Sequence, residues 1–430
     1  MRLSTIPGID IVAPRWNNVS NLFLGVGHLP RRFKSTEAVG ETTFERRASI
    51  PNKVQNILWA QAAGRCEYRG CNELLVGDLV SNTPHANKGY HAHIIADSPD
   101  GPRGDVELSK KLAKDPDNIM LLCDVHHRVV DREKVEEHPA TLLREMKREH
   151  EERIENVTAI THDRGTHPLR YAARIGGNEA LIPKADLKIA IIEGGRFPIH
   201  RGNIDLESTG LDFTEEEPDY WKTHLRNLRN GFREKLGGRL ERGEIKHITA
   251  AGIAPIPLLI ELGRLLSDIR AVDVRQPLRN PKGFHWDHSS PSLSFDILEA
   301  SATAARAVAL KIEITAEISD ERINRVLDGA TPIWSIRSSV RGNDVMRRES
   351  DLAEFARVCR AVFDLIRSAH GHEAEIHLFP AIPASTAIEI GRGWQPKAHP
   401  SVHIYDENRR VGGFHLVHAL DHVEGKGTSE

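Results

Sequence analysis

The chain has 430 residues, of which 39% are hydrophobic and 28% charged, so its composition is that of an ordinary soluble protein of two or three domains. Its net charge of −3 excludes a global basic field, so any nucleic-acid binding must rely on a local basic patch or on assembly. No uninterrupted apolar run reaches the roughly 18 residues of a membrane span, so we expect no membrane partner.

Residues 1–48 are rich in basic side chains and contain a single acid, Asp10, before Glu37. This composition is similar to that of transit peptides, but the stretch has no clear amphipathic period. We interpret it as a poorly ordered extension or an upstream start, with a functional arm as the alternative. From Pro51 the sequence predicts a helix that runs through Trp59–Ala63 toward Cys66.

Two pairs of metal-ligand residues follow this helix. Cys66 and Cys71 are separated by four residues, and Cys123 and His126 by two. Three thiolates and one imidazole can close a tetrahedral zinc shell with no open position, which is typical of a structural site. Because three of the four cysteines belong to this cluster, the chain favours a reducing cytoplasm over a disulfide framework.

Two further histidines, His93 and His127, lie beside these pairs, with Asn118 between them in sequence. The order and spacing of the ligand pairs and of this His-Asn-His series resemble the HNH endonuclease family over about residues 50–155. The resemblance implies a ββα-metal core in which a strand carries His93, the following loop carries Asn118 and a helix opens with His127. Zinc would hold so small a unit together, because it buries little apolar surface.

The same resemblance implies hydrolysis of a phosphodiester bond in double-stranded DNA. His93 would deprotonate the attacking water, a task that suits an imidazole at neutral pH. His127 would hold Mg²⁺ or a similar divalent ion against the scissile phosphate. Asn118 would fix the loop that aims His93.

One position departs from the family pattern. Many members carry Asp or His directly before the general base, where this chain has Ala92. His91 lies two residues before His93 and shares its face on a strand, and Asp131 lies four residues after His127 and shares its face on a helix. Either side chain is a candidate second ligand of the divalent ion, as are water and phosphate oxygens.

A highly charged helix is predicted at Pro139–Ile154, with one thin apolar stripe that includes Leu143 and Met146. It ends the predicted nuclease domain, which we place at 49–155. Residues 156–184 contain several glycines and prolines and are predicted to form a linker.

The remaining sequence contains an internal repeat. Ile248–Arg264 (ITAAGIAPIPLLIELGR) is matched without a gap by Ile376–Arg392 (IHLFPAIPASTAIEIGR). A long amphipathic helix is predicted before each copy and a strand after each copy. The predicted helices are Asp219–Leu236 and Ser350–Ala369, and the predicted strands are Ala271–Val274 and Ser401–Tyr405.

Upstream, the sequence LKIAIIE from Leu187 is echoed by LKIEITAE from Leu310, which predicts that each half opens with this segment as a strand. The C-terminal region is therefore predicted as a duplicated Rossmann-like unit with two β-α-β-α-β halves, at about 185–300 and 308–420, followed by a tail at 421–430. Together with the nuclease domain this makes a multidomain α/β protein.

The repeat also predicts where a ligand binds. In an open parallel sheet ligands lie off the carboxyl ends of the strands, where helix N-termini favour phosphates. Both copies place a loop broken by glycine or proline there, at Gly252–Pro257 and Pro380–Thr386. Two such loops across a pseudo-twofold axis would suit a cyclic nucleotide. Alternatively, these residues only end strands and start helices.

The stretch His377–Asp406 resembles the SAVED domain, a fusion of two CARF-like halves, and the resemblance covers about 185–420. The order of nuclease and SAVED is similar to that of the HNH–SAVED effectors of bacterial CBASS anti-phage systems. It implies that a cyclic di- or trinucleotide binds the SAVED domain and drives formation of a homo-oligomer, from dimer to tetramer, that degrades double-stranded DNA.

The candidate ligand contacts are Ser385 and Thr386 for phosphate, Trp394 for stacking on a base, and Lys397, with Gly252 and Pro255 shaping the wall. Trp394 is alternatively a core residue. Two other classes of function remain open: an ungated restriction-type nuclease whose C-terminal domain recognises DNA or a modified base, and a zinc-bearing binding protein without catalysis. The lack of a Lys/Arg-rich stripe in the C-terminal region argues against the first of these.

Overall fold

The computed structural model describes residues 49–78, 83–176, 178, 180–206, 217, 219–300, 304–327, 329–407 and 412–421. The predicted extension at 1–48, and the predicted tail beyond residue 421, lie outside the described residues. Within the described part of the chain, none of the helices combines the length and hydropathy that spanning a bilayer requires.

The N-terminal region contains helices and an antiparallel strand pair whose second strand is buried. Its elements in chain order are α1 Asn52–Gln61, β1 Val76–Asp78, β2 Thr83–Asn87, β3 Gly89–His93, α2 Leu108–Leu112, β4 Ile119–Cys123, α3 Asp124–Arg128 and α4 Ala140–Thr158. Helices α1 and α4 confirm the two predicted helices, and a proline with helix-compatible φ precedes each one.

Strands β3 and β4 pair so that His91 lies opposite Leu121 and His93 opposite Ile119. Every residue of β4 is buried, and its side chains pack into a hydrophobic cluster with Leu143 and Met146 of α4. The predicted apolar stripe of α4 therefore covers the strand pair. This cluster draws only on residues before 150, so the region has a core of its own.

The C-terminal region contains two sheets with helices; the first sheet is parallel, and the second has four parallel strands with an antiparallel strand at each edge. The first half consists of β5 Gly165–Ala172, α5 Lys184–Glu193, β6 Phe197–Pro198, β7 Ile204–Asp205, α6 Tyr220–Phe232, α7 Gly238–Glu241, β8 Ile248–Ile253, α8 Ile256–Leu266 and β9 Val272–Arg275. Three short strands follow, β10 Leu278–Arg279, β11 Lys282–Gly283 and β12 Phe295–Leu298. The second half consists of β13 Ala307–Glu313, α9 Asp320–Asn324, β14 Ile333–Ser338, α10 Glu349–His370, β15 Glu375–Ala381, α11 Ala384–Gly393, β16 Ser401–Glu407 and β17 Phe414–Leu420.

Both sheets have the same order of parallel strands, which confirms the predicted duplication. In the first sheet β5 lies between β7 and β8, and β9 follows β8. In the second sheet β13 lies between β14 and β15, and β16 follows β15. When β6 and β7, the two short strands that both pair with β5, are counted together as strand 2, the order in each half is 2-1-3-4. The connections therefore change direction between strands 1 and 3.

The prediction of a linker at 156–184 is wrong, because β5 lies inside it and forms the centre of the first sheet. This strand pairs with β8 from His167 opposite Ile248 to Ala172 opposite Ile253. All its residues except the first are buried, although they include Thr, His, Pro and Arg. The mixed composition hides the strand from a search for apolar runs.

The predicted opening strand at Leu187 is also wrong, because this segment is helix α5. Pro183 precedes the helix, and Leu187, Ala190 and Ile191 are buried at helical spacing. The echoing segment at Leu310 does form a strand, β13, which is buried on both faces. A short apolar run permits both outcomes, and the tertiary surroundings decide between them.

Helices α8 and α11 of the two repeat copies pack against each other through their glycines. A Cβ on Gly263 would lie 1.9 Å from the carbonyl oxygen of Ile388, and a Cβ on Gly391 would lie 1.8 Å from that of Ile260. Because these residues are equivalent in the repeat, the contact is reciprocal, as a pseudo-twofold axis requires. Only glycine permits so close an approach of two backbones.

Candidate functional site

Cys66, Cys71, Cys123 and His126 converge as predicted. Their ligand atoms lie within 4.8 Å of one another, and Cys123 Sγ lies 3.1 Å from His126 Nδ1. The ligands of one tetrahedral zinc ion lie roughly 3.5–3.8 Å apart, since Zn–S is about 2.3 Å and Zn–N about 2.0–2.1 Å. The four residues therefore fit zinc with small side-chain movements.

The surroundings favour a metal at this cluster. Burial raises the pKa of the Cys66 and Cys123 thiols, so a cation is needed to stabilise their thiolate forms. The ring of His126 stacks on Tyr68 with 4.0 Å between centroids, and the Tyr68 hydroxyl lies 3.0 Å from His138 Nε2. Sequence reasoning missed Tyr68, which orients the imidazole ligand.

Asn118 holds the chain that follows His93, in the supporting position predicted for it. Its buried amide oxygen accepts a hydrogen bond from the Ile95 amide at 3.0 Å, and its Nδ2 donates to the Ile95 carbonyl at 2.8 Å. His93 Nε2 lies 3.0 Å from the carbonyl oxygen of Ala113. Because a carbonyl only accepts, Nε2 carries the proton in the neutral ring and Nδ1 carries the lone pair that a base needs.

His127 lies in α3, and its ring stacks on Tyr90 of β3 with 4.9 Å between centroids. Its Nε2 lies 3.3 Å from Asp131 Oδ2, and its side chain is 24% exposed. A carboxylate in this position fixes the tautomer of an imidazole and leaves the other ring nitrogen for a metal ion. The structure thus pairs Asp131 with His127, in place of the predicted role as a direct second ligand.

Arg103 connects the end of the His93 strand to Asp131, and sequence reasoning missed it. Its Nε donates to the Ile94 carbonyl at 2.7 Å, and its guanidinium also reaches the carbonyls of His93 and Val130. Its Nη2 lies 2.6 Å from Asp131 Oδ1. Burial raises the pKa of Asp131, but hydrogen bonds from His127 and Arg103 outweigh it and keep that pKa below its ordinary value. Arg103 stands in a loop without a spacing signal, so only the fold reveals it.

His91 lies on the same face of β3 as His93, and its Nε2 is buried without a hydrogen-bond partner among the described residues. Burial, and secondarily the nearby His93, lowers the pKa of His91, so its ring is neutral and fit to bind a cation. Within the described residues His91, His93 and His127 do not form a group whose ligand atoms lie within 4.8 Å. They fit Mg²⁺ only with water and phosphate oxygens in the remaining positions, which is usual for this ion.

A cavity of about 480 Å³ lies off the carboxyl ends of the central strands in the C-terminal region. Strands 1 and 3 of both halves contribute to it through residues at or just after their carboxyl ends: Ile175, Ile253, Thr315 and Ile382. The N-termini of α8 and α11 also line it, as do two cations of the β10–β11 segment, Arg279 and Lys282. Both points where the strand order reverses therefore open into one cavity.

Four of the predicted ligand contacts lie in or near the walls of this cavity. Gly252 near the end of β8 and Pro255 directly before α8 are buried and adjoin lining residues in sequence. The Ser385 amide donates to Oε1 of Gln276, a lining residue, at 3.0 Å, and the Ser385 hydroxyl oxygen is buried without a partner among the described residues. Thr386 Oγ1 donates to the Pro383 carbonyl at 2.7 Å, within the first turn of α11.

The prediction for Trp394 is wrong, and Lys397 lies away from this cavity. Both residues follow the C-terminus of α11, and this helix of 10 residues places them about 15 Å from the cavity at its N-terminus. Trp394 is 5% exposed, packs in the core and donates from Nε1 to the Pro400 carbonyl at 2.9 Å, so its ring has no face for a base. Lys397 is exposed.

Comparison with known proteins places these observations in a family. Residues 228–417 match the SAVED family, described as "SMODS-associated and fused to various effectors sensor domain". This part of the chain is similar to SAVED domains, and we refer to it below as the SAVED domain. The match contains both copies of the repeat, whereas β5 and the whole zinc and histidine region lie outside it. A comparison with curated proteins found no match.

Solved structures with a similar fold include two of the Acinetobacter baumannii Cap4 SAVED/CARF-domain containing receptor. The one with the cyclic trinucleotide 2'3'3'-cAAA is 14% identical, covers 74% of this chain and 67% of that chain, and has a TM-score of 0.41. A second structure of that receptor is 12% identical, covers 74% of this chain and 66% of that chain, and has a TM-score of 0.37. The Moraxella osloensis Cap4 receptor is 10% identical, covers 74% and 70%, and has a TM-score of 0.37.

Proposed function

We propose that this chain is a DNA endonuclease that a cyclic di- or trinucleotide activates through the SAVED domain, in the manner of an anti-phage effector. The observation that carries the proposal is the single cavity to which both halves of the SAVED domain contribute. The family description as a sensor fused to various effectors supports a sensing role and calls for an effector elsewhere in the chain. The N-terminal histidine site is the candidate effector.

The cavity has the chemistry that a cyclic nucleotide needs. Two helix N-termini and the side chains of Arg279 and Lys282 offer positive partial or full charge to phosphate groups. Apolar residues such as Ile253 and Ile382 offer surface to the bases. Because the two halves are related by a pseudo-twofold axis, the cavity presents similar walls to a ring of repeated nucleotides.

The N-terminal site has the groups that hydrolysis of a phosphodiester needs. His93 accepts the proton of the attacking water at Nδ1, because the Ala113 carbonyl holds the proton on Nε2. The new bond forms from the water oxygen to phosphorus, and the bond to the leaving sugar oxygen breaks. His127, oriented by Asp131, would hold Mg²⁺ at Nδ1, and the ion supplies charge stabilisation at the leaving oxygen.

Two other contacts keep this geometry in place. Arg103 ties the carbonyl of His93 to the carboxylate of Asp131, and Asn118 fixes Ile95 two residues beyond His93. Cys66, Cys71, Cys123 and His126 would hold zinc as a structural ion. A chain of net charge −3 has little global attraction for DNA, so a homo-oligomer that brings several nuclease sites to one duplex would gain avidity.

The test is cleavage of plasmid DNA by the purified full chain in Mg²⁺, with and without a panel of cyclic di- and trinucleotides. We expect cleavage only with a particular cyclic nucleotide, and a larger assembly by light scattering in its presence. Equal cleavage without any nucleotide would contradict activation and favour a restriction-type enzyme. Absence of cleavage with every nucleotide, in protein that contains zinc, would contradict the nuclease.

A further inference from the structure

A cluster of three side chains on the second sheet of the SAVED domain has no role in the proposed function. Glu375 and His377 lie two residues apart on β15, so they share one face, and His403 is the register partner of His377 on β16. One ligand atom from each of the three residues lies within 4.8 Å of the others. The rings of His377 and His403 have centroids 5.0 Å apart and are tilted by 75°.

We propose that Glu375, His377 and His403 bind a divalent transition-metal ion such as Zn²⁺. Two imidazoles and one carboxylate are a ligand set that suits zinc, nickel and copper, and three protein ligands leave one position of a tetrahedral shell open. Adjacent parallel strands bring three such ligands together, because residues i and i+2 of one strand lie on the same face of the sheet as the register partner on the next strand.

The contacts around the cluster support this assignment. His377 Nδ1 lies 3.0 Å from the Tyr405 hydroxyl, which occupies one ring nitrogen and leaves Nε2 available to a metal ion. His377 is 9% exposed, so its ring is held in place by the surrounding residues of the sheet. The register partners on β13 are Ala307 and Ala309, whose small side chains leave space beside the cluster.

A cavity gives the ion access to Glu375, and Arg306 competes with the ion for that carboxylate. Glu375 and Ser401 line an open cavity of about 610 Å³ at the amino end of the sheet. The Glu375 carboxylate lies 3.6 Å from the guanidinium of Arg306, whose side chain is 87% exposed. So exposed a cation holds its partner weakly, and a divalent ion would displace it. The bound ion would then tie strand 3 to strand 4 of the second half.

The experiment measures the metal content of the full-length protein after equilibrium dialysis against buffered free Zn²⁺. Wild type is expected to hold one ion per chain more than His403→Ala and Glu375→Gln. The zinc cluster at Cys66 is the same in all these proteins, so it cancels in the difference. His415→Ala is the matched control, since it removes an exposed histidine from the adjacent strand β17 and should equal wild type.

Equal zinc content in wild type and in Glu375→Gln would overturn the proposal. Glu375 is partly exposed, so this variant keeps the test valid if His403→Ala fails to fold. A second readout uses Co²⁺: the ion lost in the variants must show ligand-field absorption without thiolate charge transfer, whereas the Cys66 cluster would show both. Loss of a band with thiolate character would also contradict the assignment. Neither result depends on nuclease activity or on a cyclic nucleotide.

Discussion

The N-terminal site and the SAVED cavity differ in the chemical groups that form them. In the N-terminal site the candidate catalytic groups are side chains with specific partners: Asp131 contacts His127, and Asn118 holds Ile95. The SAVED cavity is lined mainly by strand ends, helix N-termini and apolar residues, with Arg279 and Lys282 in its wall. A single substitution in the N-terminal site should therefore abolish the proposed DNA cleavage. Substitutions in the SAVED cavity should each weaken the proposed cyclic-nucleotide binding only in part.

The largest effect is expected for His93→Ala. Loss of a general base lowers the rate of a proton-transfer reaction by roughly 100- to 10,000-fold. We expect a decrease of that size in activated plasmid cleavage, with circular dichroism and cyclic-nucleotide binding unchanged. His162→Ala, which removes an exposed histidine outside the site, is the control. Cleavage by His93→Ala at the wild-type rate would show that another group is the base.

The next effect concerns the frame of the cavity. Gly263→Ala and Gly391→Ala each place a methyl group less than 2 Å from a backbone carbonyl of the opposite helix, so each should destabilise the protein by about 1–3 kcal/mol. Urea unfolding measures this change. The pseudo-twofold axis predicts similar losses for both variants, and a loss in only one would contradict the reciprocal packing. Gly231→Ala in α6 meets only an ordinary contact and should be neutral or slightly stabilising.

A smaller effect is expected for the cavity cations. Arg279→Ala and Lys282→Ala should each weaken cyclic-nucleotide binding about tenfold, since a hydrogen bond to a charged group contributes roughly 1.5–3 kcal/mol. Isothermal titration calorimetry measures the affinity. Lys397→Ala is the control, because Lys397 lies beyond the far end of α11. A weaker affinity in Lys397→Ala than in Arg279→Ala would place the ligand at the other end of that helix.

Glu261 and Glu389 occupy equivalent positions in the repeat but have different surroundings. Glu261 is buried and accepts hydrogen bonds from Arg229 at 2.7 Å and from His418 at 3.0 Å, besides its pair with Arg264. Burial raises the pKa of Glu261, but the hydrogen bonds from Arg264 and His418 outweigh it and bring the pKa well below the ordinary value. Glu389 pairs with Arg392, and burial raises its pKa above the ordinary value in spite of that contact.

The smallest effect follows from this contrast. Because the pKa of Glu261 is lowered on folding, its charge stabilises the fold above the unfolded pKa of about 4.3, and this contribution is lost as the pH falls. Because the pKa of Glu389 is raised, its contribution is present at low pH and is lost as the pH rises through the folded pKa.

The free energy of unfolding, measured from pH 4 to pH 7, should therefore change in opposite directions relative to wild type. The advantage of wild type over Glu261→Gln should grow with pH, and its advantage over Glu389→Gln should shrink, each by on the order of 1 kcal/mol. Parallel pH profiles for the two variants would contradict the assigned shifts.

How much of each site was predictable depends on how local its chemistry is. Cys66, Cys71, Cys123 and His126 were predicted correctly as one cluster, since metal coordination requires particular residue types at short spacings. Arg103 was not, because its partners are backbone carbonyls that any residue offers. Trp394 was misread, because an indole looks the same in a sequence whether it packs in a core or stacks on a base.

The sequence by itself determined the elements with strong periodicity and the repeat that relates them: helices α6 and α10, strands β9 and β16, and the glycine pair of α8 and α11. The tertiary structure decided that the segment at Leu187 is a helix and that β5 is a central strand within the predicted linker. A run of five to eight residues is compatible with both helix and strand, and burial between neighbouring elements selects one of them. A periodic or repeated pattern is supported by many residues, so it can be read from the sequence. The structure of these short segments depends on contacts that form only when distant parts of the chain meet.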